Sequence, residues 1–358
     1  MNKRNRVLVV GLGNMGMGHA LAYARVDGFE VVGLCERSIA ERKLPAALAK
    51  VPQYAHYESA LAELKPDVVS INTWSDTHAD YAVKAMEAGA HVFVEKPLAE
   101  TVADAERVVA TARRTGRKLV IGYILRHHPS WMRFIELART LGTPMVFRMN
   151  LNQQSSGREW ETHKRLLRTL SPIVDCGVHY VDVWCQITRA RPVSVHAVGA
   201  RLTEDMPPAM YNYGHFEVQF EDGSVGWYEA GWGPMMSETA FFVKDAIGPK
   251  GSVSIVMAES PGGAAVRSAD INTHTKTNQI LLHHAALAPD GSLARQDERQ
   301  STLDEPDHDG LCEREQRFLL KAIEEDMDLA DHMEDGIKSL RIVLAADKSV
   351  RTGEVVRL

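Results

Sequence analysis

Three groups of residues combine types and spacings that suit chemistry. The first is Gly11-Leu12-Gly13-Asn14-Met15-Gly16, a G-x-G-x-x-G pattern, with Glu36 twenty residues after Gly16. Gly11 permits a tight turn, Gly13 lets backbone approach a pyrophosphate, and Gly16 allows close helix–sheet packing. The helix that follows offers free N–H groups and the positive end of its dipole to phosphates. A carboxylate at Glu36 suits the two hydroxyls of an adenosine ribose and repels the 2′-phosphate of NADP, which favours NAD. Arg37 keeps NADP open, and a solvated strand-end charge is the competing reading of Glu36.

The second group is Glu95-Lys96-Pro97, directly after the apolar run His91–Val94. Strand C-termini face the ligand crevice in doubly wound sheets, so a lysine there reaches both cofactor and substrate. A solvated loop lysine is the alternative. The third is Asp175 and His179, spaced i, i+4 on a predicted helix over 171–188 and therefore on one face. A carboxylate one turn away fixes an imidazole tautomer and raises its basicity, as a general base for an alcohol proton needs. Asp182 is a rival orienting acid, and an ordinary surface Asp–His pair is the plain alternative. His127-His128 and His283-His284 lack the helical spacing of a zinc site, and Cys35, Cys176, Cys185 and Cys312 form no C-x-x-C pair. Neither a metal nor a disulfide framework is expected, and a reducing, cytoplasmic setting fits.

The elements that must position these groups read as strands alternating with helices. Arg6–Val10, Glu30–Cys35, Asp67–Asn72, His91–Val94 and Lys118–Gly122 are short apolar runs, as strands covered on both faces require. Met15–Arg25, Ser38–Lys50, Thr77–Ala88 and Thr101–Thr115 read as helices, the last two stopped by Gly89 and Gly116. That alternation predicts an α/β, doubly wound parallel sheet. The rhythm then changes. Residues 192–260 are strand-rich, with a hairpin at Glu221-Asp222-Gly223. Residues 309–325 and 333–351 read as helices, and 259–272 and 286–308 as long loops. The expected architecture is a Rossmann domain over 1–124 and an α+β domain with an open, mostly antiparallel sheet over 125–358. An open sheet must cover its outer face, so a homodimer or homotetramer through that sheet is expected.

The 358 residues allow about two domains, and 45% apolar with 25% charged residues excludes a disordered chain. A net charge of −6 gives no basic surface for nucleic acid or an acidic membrane. The basic start followed by apolar residues has the outline of a secretory signal, but Gly11, Gly13, Gly16 and Gly18 break the run, and strand–turn–helix is the better reading.

In order, G-L-G-N-M-G at 11–16, A-G-A-H-V-F-V-E-K-P at 88–97, G-Y-I-L-R at 122–126 and D-C-G-V-H-Y-V-D at 175–182 resemble the Gfo/Idh/MocA family across essentially the whole chain. The resemblance implies hydride transfer between a nicotinamide and a ring carbinol carbon of a sugar, inositol or related polyol. It implies that Lys96 hydrogen-bonds the reacting hydroxyl, that His179 takes its proton, and that Asp175 orients His179 or the substrate. It places Asn14, Met15, Thr73, Trp74, His78 and Glu95 with the cofactor set, and Tyr123 and Arg126 near the cleft, with core packing an equal reading of Tyr123. Asn150, Asn152, Trp160, His163, Lys164 and Arg168 are further polar or aromatic candidates for a hydroxyl-rich ligand. Two departures bear on substrate and cofactor. Thr73-Trp74 stands where the family usually has Thr-Pro, and Thr169-Leu170-Ser171-Pro172 stands where it often has a glycine run. A glycosidase that retains NAD, an NADPH-dependent sugar reductase and a non-enzymatic sensor are the alternatives. The last is expected to lack the lysine or the histidine.

Overall fold

Val7, Leu8 and Val9 are fully buried, as a strand flanked by helices on both faces demands. They belong to β1 (Asn5–Val10) of a six-stranded sheet. The computed structural model describes residues 4–39, 42–238, 242–256, 268–269 and 277–358. The chain divides into two units, residues 1–127 with 308–337 and residues 128–307 with 338–358.

In the first unit, β2 (Phe29–Cys35), β3 (Gln53–Tyr54), β4 (Val68–Ile71), β5 (His91–Val94) and β6 (Leu119–Ile121) join β1 in the order β3-β2-β1-β4-β5-β6. Every pairing is parallel. The order reverses between β1 and β4, so the crevice of such a sheet opens beyond the C-terminal ends of these strands. The helices are α1 (Asn14–Arg25), α2 (Tyr57–Leu64), α3 (Ser75–Glu87) and α4 (Val102–Thr115). Thr101 caps α4 by accepting from the Asp104 N–H at 3.1 Å, and Gly116 ends it at φ +66°.

The expected helix over Ser38–Lys50 does not form: its described residues make turns. Pro45 lacks an N–H and clashes with the preceding turn, and the bonds found are i→i+3, Leu48 N to Pro45 O at 2.9 Å and Val51 N to Leu48 O at 3.1 Å.

The second unit carries β7 (Val146–Gln154), β8 (Pro192–Ala200), β9 (Tyr213–Phe220), β10 (Val225–Gly233), β11 (Lys244–Gly248), β12 (Gly251–Val256), β13 (Gln279–His284), β14 (Glu298–Ser301) and β15 (Val356–Arg357). Their order is β14-β13-β12-β11-β7-β10-β9-β8-β15. The sheet is antiparallel except for the parallel pair β7–β10. Helices α5 (Pro129–Ala138), α6 (Gly157–Leu166) and α7 (Pro172–Thr188) belong to this unit. Helix α7 lies against β10, where a Cβ on Gly226 would meet the Trp184 ring at 2.7 Å, so the close approach needs glycine. The β9–β10 hairpin forms as expected, with Gly223 at φ +82°.

Two helices complete the chain, α8 (His308–Glu324) and α9 (Ala330–Thr352). Helix α8 and the first residues of α9 group with the first unit, so neither unit is one continuous stretch, in contrast to a single division at 124/125. The loop read over 286–308 contains β14, and that over 259–272 lies outside the described residues apart from 268 and 269. No helix among the described residues is long and apolar enough to cross a membrane.

Candidate functional site

The glycine turn joins β1 to α1 and is locked from below. Gly11 has φ +81°, and a Cβ there would sit 2.6 Å from the Asn72 carbonyl oxygen. A Cβ on Gly16 would sit 1.9 Å from the Gly11 carbonyl oxygen, an overlap that only glycine avoids. Gly13 differs: no atom lies within 4 Å of its would-be Cβ. That open space borders the exposed Gly13 and Asn14 and the half-buried Met15 at the start of α1. Glu36 follows β2, and its Oε2 accepts the Leu12 N–H at 2.9 Å. The acid is thus tied to the turn it must serve, with Arg42 at 3.8 Å and Arg37 exposed to solvent. The cradle, the N–H groups of α1 and the acid fit a dinucleotide.

Beyond β4 and β5 lie the other first-unit candidates. Lys96 is half-buried, and the Lys96–Pro97 peptide is cis. Glu95 is buried: its Oε2 accepts the Lys96 N–H at 3.1 Å, and its Oε1 lies 2.8 Å from His19 Nε2. Gly122 makes room for it, because a Cβ there would meet the Glu95 carboxyl at 3.2 Å. His78 spans two loops, with Nδ1 at 2.8 Å from the Pro97 carbonyl and Nε2 at 3.0 Å from that of Thr73. Burial lowers its pKa, and a neutral ring donates its single N–H to one of these two carbonyls. Thr73 Oγ1 pairs with Thr77 Oγ1 at 2.6 Å, and Trp74 is 51% exposed at the N-terminus of α3.

Tyr123 and Arg126 follow β6. Tyr123 is fully buried, with the Arg126 guanidinium 5.9 Å from its ring centroid. Arg126 pairs at 2.9 Å with Asp335, itself buried on α9.

In the second unit, Asp175 and His179 are half-buried, one turn apart on α7. The helix starts where expected because Ser171 accepts the Val174 N–H at 3.3 Å and Pro172 occupies the first turn. Asp182, the rival acid, is buried and accepts from Gln186 Nε2 at 3.0 Å. Asn150 lies within β7, not at its end, and its Oδ1 accepts the Val243 N–H at 2.7 Å, which ties adjacent backbone together. Asn152 donates to Glu229 at 2.6 Å. Residues 157–166 form α6. Lys164 makes two 2.7 Å ion pairs, with Glu161 and Asp205, and lies 5.9 Å from the Trp160 ring centroid. Arg168 is exposed.

A feature the sequence concealed is the stack of His163 on Trp232, at 4.6 Å and 8° between planes. His163 Nδ1 lies 2.8 Å from Ser155 Oγ, and the Trp232 indole N–H donates to Gln153 Oε1 at 2.9 Å. Burial pushes His163 down to about 4, opposed by the charge of Asp175. Burial likewise takes His91 to about 4 and His127 to about 3. A depressed imidazole takes up its proton more readily in the unfolded chain. Stability is therefore full above the ordinary 6.5 and is expected to fall between about pH 6.5 and pH 4. Urea denaturation across that range checks this, and a flat profile contradicts it. Replacing His163 by Gln should remove its share of the slope.

Residues 5–123 match the description "Oxidoreductase family, NAD-binding Rossmann fold", and residues 135–253 match the GFO/IDH/MocA C-terminal domain. The inositol 2-dehydrogenase of Salmonella paratyphi B is 31% identical over 183 residues, 49% of this chain and 52% of that protein. The chain thus spans about half the length of the curated relatives it matches first. The D-glucoside 3-dehydrogenase of Escherichia coli K12 is 23% identical over 316 residues, 79% of this chain and 88% of that protein. Among solved structures, the WlbA dehydrogenase from Bordetella pertussis, in complex with NADH and UDP-GlcNAcA, superposes with a TM-score of 0.75 at 19% identity, covering 99% of each chain. This chain belongs to the Gfo/Idh/MocA family of oxidoreductases, and its N-terminal sheet is that family's NAD-binding Rossmann fold.

Proposed function

We propose that the protein is an NAD-dependent dehydrogenase that oxidises a secondary alcohol of a sugar, an inositol or a related cyclic polyol. The observation that carries the reading is the placement of Lys96. Strands β1, β4 and β5 are parallel neighbours, so Lys96 projects from the same sheet edge as the glycine turn. The separation is two strand spacings, about 10 Å. A cation there faces the crevice that the dinucleotide occupies.

The nicotinamide, when bound, accepts the hydride. Lys96 steadies negative charge developing on the reacting oxygen. His179 takes the hydroxyl proton, and Asp175 holds the imidazole or a substrate hydroxyl. The names of the relatives, an inositol 2-dehydrogenase and a D-glucoside 3-dehydrogenase, support the substrate class. The Leu12 N–H holds Glu36 against the glycine turn, which supports a preference for NAD over NADP. Glu36→Ala is expected to weaken NAD and narrow the NAD/NADP preference about tenfold, one lost charge-assisted hydrogen bond. Titration of both cofactors checks it, and an unchanged ratio refutes the ribose contact.

The deciding experiment is NADH formation at 340 nm across inositols, aldoses and deoxy or amino sugars, with NAD and NADP in parallel. A signal with one ring polyol is expected. Silence across the panel with NAD tightly bound overturns the dehydrogenase reading and points to a retained-NAD glycosidase or a sensor.

A further inference from the structure

Helices α1 and α8 bury a polar cluster that the hydride chemistry does not use. His19 on α1 is fully buried, and Cys312, Glu315 and Gln316 on α8 are at most 1% exposed. Their spacing of i, i+3 and i+4 places the three on one helix face. One ligand-type atom from each of His19, Cys312 and Glu315 lies within 4.8 Å of the others. Gln316 Nε2 is 3.0 Å from His19 Nδ1. Glu315 Oε1 and Gln316 Oε1 are both buried without a hydrogen-bond partner. An orphaned buried acceptor is costly, and Glu315 shares one cluster with the imidazole of His19 and the thiol of Cys312.

We propose that this cluster is a structural site for one divalent transition-metal ion, zinc foremost. His19 Nδ1, Cys312 Sγ, a Glu315 carboxylate oxygen and Gln316 Oε1 are its four ligands. Turning the Gln316 amide over keeps its shape and puts oxygen where Nε2 now stands. A separation of 3.0 Å from Nδ1 is close to the roughly 3.3 Å edge of a tetrahedron with bonds of about 2.0–2.1 Å. From the 4.8 Å limit, the widest pair closes by up to about 1.5 Å to match that edge.

Three features favour a metal over four separately buried groups. His19 Nε2 lies 2.8 Å from Glu95 Oε1, so its N–H donates to the carboxylate and Nδ1 is left as the ligand. This carboxylate–histidine pairing is the usual outer support of a metal-bound imidazole. A 2+ ion with one thiolate and one carboxylate is neutral, which removes the charge penalty of burial. Mixed nitrogen, sulfur and oxygen ligands select zinc-like ions over magnesium or calcium.

The metal joins helices whose His19 and Gln316 are 297 positions apart. Through Glu95, which holds the Lys96 N–H, it also steadies the catalytic loop. It touches no reacting atom, so the inference stands apart from the dehydrogenase reading.

The test is metal content of the full chain, purified without a histidine tag, incubated with zinc and desalted. About one zinc per chain is expected in the wild type, and less than about a tenth in Cys312→Ser. A wild type that retains less than a tenth, or a Cys312→Ser protein that retains its zinc, overturns the site. Cobalt loading of the wild type decides the matter should the variant not fold. A thiolate-to-cobalt charge-transfer absorption supports the assignment, and cobalt bound without it, or not bound, overturns it.

Discussion

Lys96→Ala is expected to lower turnover by about 10²–10⁴-fold while dinucleotide affinity stays within a few-fold of wild type. The split follows from where the contacts of the loop originate. Glu95 binds the backbone N–H of Lys96, a contact that does not involve its side chain. The loop is braced further by His78 on the Pro97 carbonyl. Truncating the side chain leaves both contacts in place. The glycine turn and Glu36 belong to β1 and β2 and do not depend on the ammonium. What is lost is a positive charge at the edge where an alkoxide develops, an interaction stronger in the transition state than in the ground state. Single-turnover kinetics with an NADH titration of the same variant separate the two effects. Near-normal turnover removes Lys96 from the chemistry, and a matching loss of cofactor affinity shows it to be a binding residue.

The second large effect concerns stability. Arg126→Ala is expected to destabilise the protein by about 3–5 kcal/mol, because it leaves the Asp335 carboxylate buried without its ion-pair partner. Arg126 and Asp335 pair at 2.9 Å with side chains 13% and 2% exposed, so solvent screens the pair little. His332, one turn before Asp335, accepts the Ile121 N–H at 2.8 Å, and burial, with the charge of Arg126, keeps its ring neutral. The pair thus fastens the start of α9 to the end of β6. Replacing both partners with apolar residues, Arg126→Met with Asp335→Leu, is expected to recover most of the loss. Urea denaturation of the two single variants and the double variant completes the cycle. A single-variant cost under 1 kcal/mol shows that the pair is not a buried clamp, and equal losses in single and double variants show that Arg126 acts through other contacts.

Residues read in their local context and residues placed by distant contacts fared differently. The alternation of apolar runs and helices reached the parallel sheet because burial on both faces leaves a continuous apolar stretch, visible in Val7, Leu8 and Val9. Glycines 11 and 16 were legible from their G-x-G-x-x-G spacing, and the structure adds their close approaches to the turn itself and to Asn72. Glu36 was placed by its spacing, and the structure adds the Leu12 N–H that holds it. The helix expected over 38–50 does not form because Pro45, whose missing N–H breaks the ladder, falls inside it. Spacing gave no sign of the partners of Arg126 and Asn150, which are Asp335 and the Val243 N–H. His163 gave no sign of its stack, since Trp232 lies on another strand.

The sequence by itself therefore determined the Rossmann sheet, the glycine turn, the acid after β2, the lysine after β5 and the Asp175–His179 face of α7. Each rests on apolar runs, side-chain periods and motif spacings that can be read along the chain. Only the tertiary structure decided which polar side chains are buried, which are paired, and that His19 meets Cys312, Glu315 and Gln316. Those contacts join helices at opposite ends of the chain. Spacing along a sequence carries no information about them until packing brings the two helices together.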